Sequence, residues 1–128
     1  MNENDKSFMR TSGIIMGITF LIIPIIGALW SLFTFKRNEK VLLGAWEKGE
    51  KKENLKMATS ALMATYHAAW TEIGLMVFAA ITIVFFFLLN AWSKTSAFGN
   101  FLWVAITVGL ALQIWAGANG FILANNTK

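Results

Sequence analysis

Three stretches without an ionised side chain set the pattern of this chain: Thr11 to Phe35, Ile73 to Ser93 and Thr95 to Thr127. A helix needs about 20 apolar residues to cross a hydrocarbon core about 30 Å thick, and each stretch is long enough. Membrane strands would alternate and stop after about ten residues, so length argues against them. The pattern predicts an all-α integral membrane protein of one domain, residues 1–128, with three transmembrane helices at about 12–35, 72–92 and 97–124. Pro24 lies inside the first span and predicts a kink in a continuous helix. Lys6 and Arg10 before that span resemble the start of a signal peptide. Its length, the lack of an A-x-A site and the following Lys36-Arg37 favour a retained helix.

The segment 36–71 has a helical pattern of its own. Asn38-Glu39-Lys40 reads as a helix start, followed by an apolar stripe of Val41, Leu42, Ala45 and Trp46. A polar break at 49–54 follows, with Asn54 as an N-cap, and from Leu55 the pattern runs through Leu62 and Tyr66 into the second span. The first two helices are therefore expected to extend into an antiparallel cytoplasmic hairpin with its tip near Gly49–Glu53. The alternative is a pair of short helices lying on the lipid headgroups, which Trp46 and the lysines would favour.

Charge then orients the frame. The formal net charge is +4, which in a soluble protein would suggest nucleic acid. Here Lys36, Arg37, Lys40, Lys48, Lys51, Lys52 and Lys56 crowd one loop, against Lys6 and Arg10 before the first span and single lysines at 94 and 128. The positive-inside rule places that loop and the C-terminus in the cytoplasm, with the N-terminus and the Lys94 turn outside, in a bacterial inner or plasma membrane. No nucleic-acid partner is expected. Trp30, Trp70, Trp92 and Trp103 fall near span boundaries, where indoles prefer to sit, and deeper Trp115 is expected to pack on a neighbouring helix.

Composition narrows the chemistry. The chain is 56% hydrophobic and 14% charged, whereas a soluble domain is about 25% charged. It has no cysteine, one histidine and a single aspartate, Asp5, which leaves thiolate chemistry, most metal sites and a Ser-His-Asp triad without residues. No catalytic residue, metal or cofactor is expected, and the chain does not read as an enzyme.

The candidate functional residues are few. Glu72 is the one acidic residue adjoining a long apolar run; it reads first as a hydrated boundary residue and second as a group linked to ions or protons. His67 is a weaker candidate of the same kind, since at i, i+5 it does not face Glu72. Gly13 and Gly17 in the first span, with Ala105, Gly109, Gln113 and Gly117 in the third, form small-residue rows that let helix backbones approach, within one bundle or between subunits. Leu42, Trp46, Leu55, Leu62 and Tyr66 could dock a cytoplasmic partner. Thr82 should bond back to its own helix, Phe85, Phe86 and Phe87 should meet lipid or a partner, and Asn90 closes the second span. The expected function is a non-catalytic membrane subunit whose partners are the lipid bilayer and other membrane chains or copies of itself. A homo-oligomeric channel or transporter component comes second. Third is a holin-like or immunity/exclusion protein: three-span holins resemble the chain in topology, although its C-terminal tail is short and barely charged.

Overall fold

The computed structural model describes residues 2–50, 52–89 and 96–127. They form four α-helices: α1 (Glu3–Ile22), α2 (Pro24–Glu47), α3 (Lys52–Leu88) and α4 (Ser96–Asn125). Asn2 caps α1 by accepting the Asp5 N–H at 2.8 Å, and Glu3 and Asp5 in the first turn suit the positive end of the helix dipole.

The first apolar stretch is not one kinked helix. A proline disfavours the α conformation in the residue before it, and Ile23 sits at φ −131°, ψ 86°. Its N–H still bonds the Thr19 carbonyl at 2.7 Å and closes α1, while Pro24, having no N–H to lose, starts α2. The Arg37 guanidinium then lies 3.7 Å from the centroid of the Phe8 ring. In a continuous helix those residues would stand about 44 Å apart at 1.5 Å per residue. The chain therefore reverses at Ile23, and α1 and α2 are antiparallel. Gly27 permits the tight reversal: a Cβ there would come within 2.8 Å of the Phe20 backbone nitrogen.

A second reversal joins α2 to α3. The Gly49 N–H bonds the Trp46 carbonyl and the Glu50 N–H bonds the Ala45 carbonyl, at 3.1 and 3.3 Å. This is the Schellman pattern, and Gly49 takes the left-handed φ of 70° that it requires. Leu42 and Ala45 of α2 are buried in one cluster with Leu55, Ala58, Ala61 and Leu62 of α3. Phe35 stacks on Tyr66 at 4.0 Å, and the Trp46 Nε1–H donates to the Thr59 hydroxyl at 3.2 Å. Two local expectations are corrected here. Asn38 lies inside α2 and starts nothing, and Asn54 lies inside α3 and caps nothing.

α3 and α4 are antiparallel too, with Phe86 meeting Phe98 at 5.2 Å and Phe101 at 6.2 Å. α4 returns along α1 with Gly13 facing Gly120 and Ala124, and Gly17 facing Phe121. Each helix thus packs on its neighbours in the chain and α4 closes on α1, which brings residues 2 and 127 to the same end of the bundle.

The core combines large apolar side chains, among them Met9, Met16, Phe20, Leu42, Leu55, Leu62 and Leu123, with an unusual number of small and polar ones. Ser12, Gly13, Gly17, Ala28, Ser31, Thr34, Asn38, Thr65, Ala68, Ala69, Ala116 and Gly117 face inward. Ile14, Ile18, Leu29, Phe33, Phe78, Ile81, Phe85, Phe87, Trp103 and Ile114 face outward. α3 and α4 are each long and apolar enough to cross a membrane.

Candidate functional site in the groove between α3 and α4

Below Glu72, α3 buries a residue at nearly every turn: Leu55, Ala58, Leu62, Thr65 and Ala69. Between Glu72 and Leu89 no residue is classed as buried, and on α4 none is between Ala97 and Trp115. The cause is length. α3 is about 55 Å long and α4 about 45 Å, against about 30 Å for α1 and 36 Å for α2 at 1.5 Å per residue. Past the reversal at Ile23, α3 and α4 have only each other to pack against.

Glu72 stands where the close packing ends. It is 5% exposed, and its Oε2 has no hydrogen-bond partner. Helix neighbours cover most of the side chain and its Oε2. It lines a half-open cavity of about 250 Å³ between α3 and α4. The other lining residues are Leu75, Met76, Phe78 and Ala79 from α3 and Phe101, Val104, Ala105, Val108 and Gly109 from α4. Glu72 is the sole ionisable group among them. An unpaired charge in such surroundings is costly.

The other candidates are distributed differently. His67 is exposed, lies edge-on to the Tyr66 ring at 5.7 Å, and its carbonyl accepts the Thr71 hydroxyl. It does not join Glu72. The small-residue row of α4 divides in two. Gly117 packs on Leu21 and Gly17 of α1, whereas Ala105 and Gly109 line the Glu72 cavity and Gln113 is half-buried between the two regions. Gly120, just beyond the predicted row, belongs to the same seam: its Cβ would fall 2.6 Å from the Gly17 nitrogen.

Leu42, Leu55 and Leu62 are 2–3% exposed, so they close the α2–α3 hairpin and are unavailable to a partner. Trp46 is partly exposed and Tyr66 half-buried. Thr82 donates to the Phe78 carbonyl at 2.9 Å. Phe85 and Phe87 face outward while Phe86 packs on α4. Trp115 is 47% exposed. Asn90, Trp92 and Lys94 lie outside the described residues.

Among the described residues no cluster of metal-binding side chains occurs. No protein-family model matches the sequence, and comparisons with curated proteins and with solved structures return no match.

Proposed function

We propose that the chain is an integral membrane protein crossing the bilayer with α3 and α4, and that it serves as a non-catalytic subunit packing against other membrane helices. The observation that carries the membrane reading is the row of exposed large apolar side chains on α3 and α4, two helices long and apolar enough to span, with Phe78, Ile81, Phe85, Phe87, Trp103 and Ile114 all outward. In water such a surface would be one continuous apolar patch, whereas lipid solvates it at no cost.

The α1–α2 hairpin changes the topology expected of the first span. Its uncharged stretches, 11–22 and 24–35, are each about 18 Å long at 1.5 Å per residue, too short to cross a core of about 30 Å. The hairpin enters from the basic side and turns back at Ile23. Buried backbone is tolerated there because Ile23 keeps its bonds to Thr19, Ile26 and Gly27. In this arrangement Lys6, Arg10, Lys36, Arg37, Lys40, Lys48 and Lys56 all belong to one side, satisfying the positive-inside bias without exception among them.

The subunit reading draws on the outer halves of α3 and α4, which pass beyond the hairpin with Ile81, Val84, Phe85 and Leu88 uncovered. The test is affinity purification in a mild detergent followed by native mass spectrometry. Stoichiometric complexes with other membrane chains are expected; a strictly monomeric species would overturn the subunit role. The channel reading has one observation behind it, the buried Glu72 carboxylate. Ion flux in liposomes that Glu72→Gln abolishes would put it first.

A further inference from the structure

We propose that the groove between α3 and α4 is a binding site for a small amphiphilic cation, its ammonium group meeting Glu72 and its apolar body lying along Met76, Phe78, Phe101 and Val104. Three observations converge on that chemistry. The Glu72 side chain is nine-tenths buried and its Oε2 has no hydrogen-bond partner. The cavity it lines, about 250 Å³, is open on one side and otherwise apolar, so a ligand must bring both hydrocarbon and positive charge. No residue of the lining supplies a cation.

The size limits the class. A cavity of about 250 Å³ suits a small molecule such as a primary amine on a short chain. An inorganic cation would leave the apolar walls unused, and a fatty acid would set carboxylate against carboxylate.

The proposal does not depend on the subunit role. The full chain in detergent micelles is titrated with n-octylammonium, with 1-octanol and octanoate as neutral and anionic controls of equal length. Saturable binding of the amine alone is expected. Loss of the charge-assisted hydrogen bond in Glu72→Gln should weaken it roughly ten- to a hundredfold. A second variant keeps the carboxylate and narrows the groove: Gly109 lines it and a Cβ there meets nothing within 4 Å, so Gly109→Val, which starts from that open position, should also weaken binding. Octanol binding as tightly as the amine, or no saturable binding by the wild-type chain, would overturn the site. So would amine affinity unchanged in both variants.

Discussion

Asn38 shows how a single residue departs from the logic of the bundle around it. It is completely buried, and neither its Oδ1 nor its Nδ2 has a hydrogen-bond partner. A buried polar group without a partner costs about 1–3 kcal/mol. Truncating a buried side chain normally destabilises, but here it removes two orphaned atoms and leaves a small void. Alanine is also the better helix former by a few tenths of a kcal/mol. Asn38→Ala should therefore raise the midpoint of thermal unfolding, by about 1 kcal/mol in stability. Asn38→Asp, which buries a charge in the same place, should lower it. A drop in midpoint for the alanine variant would show that the amide is hydrogen-bonded in solution, through water or another chain. The same accounting separates Asn38 from Thr34, which is also buried but satisfies its hydroxyl on the Trp30 carbonyl at 2.8 Å.

Among the elements, the seam between α1 and α4 is the most exacting. A Cβ at Gly13 would stand 2.6 Å from the Gly120 carbonyl oxygen, and one at Gly120 would stand 2.6 Å from the Gly17 nitrogen. Both obstacles are backbone atoms, so no rotamer change relieves them and the helices must separate. Overpacking of this kind costs about 1–3 kcal/mol, and Gly13→Ala or Gly120→Ala should lose that much in thermal or denaturant unfolding. Gly44→Ala, where nothing lies within 4 Å, should gain up to about 1 kcal/mol from helix propensity alone. Equal effects at all three positions would show that the seam is not close-packed. The element scale also shows how far the sequence could be read. α3 and α4 were legible as long uncharged runs, and the α2–α3 reversal as the polar break around Gly49. Gly13, Gly17 and Gly117 were legible as a close-packing signal, but not their pairing with one another. The break at Ile23 was not recognised, because a proline inside 25 apolar residues fits a kinked span as well as a hairpin. One signal did distinguish them. Arg10 and Lys36 lie 13 residues on either side of Ile23, a symmetry that a hairpin entering from a basic surface requires and a crossing helix does not. The Glu72 cavity left no trace in sequence, since it exists only because α3 and α4 outreach their neighbours.

At the level of the whole molecule, the consequence that separates the hairpin from a crossing helix is the side on which the ends emerge. With α1 packed antiparallel to both α2 and α4, Glu3 and Asn125 lie at one end of the bundle, which in the proposed arrangement is one face of the membrane. The Lys48–Gly49 turn belongs there as well, because α2 leads back from Ile23. The start of α4 lies at the opposite end. The chain has no cysteine of its own, so single cysteines report without background. In sealed vesicles of known orientation, Glu3→Cys, Lys48→Cys and Asn125→Cys should react with a membrane-impermeant maleimide from the same side, and Ala97→Cys from the other. Ile22→Cys should react from neither side: the residue is 71% exposed on the protein surface, but in the proposed arrangement that surface faces hydrocarbon. Thiolate forms poorly there, and the thiolate is the reacting species. Labelling of Glu3→Cys and Asn125→Cys from opposite sides would require residues 12–35 to cross as one helix, and α1 could then no longer lie against α4. Ready labelling of Ile22→Cys from the aqueous phase would instead place the turn in water, and the hairpin would be a peripheral pair packed beside two spans. The expected pattern places the polar interior of Ser12, Ser31, Asn38 and Thr65 toward the basic face, and the groove beside Glu72 toward the hydrocarbon, within reach of an amphiphile diffusing in the bilayer.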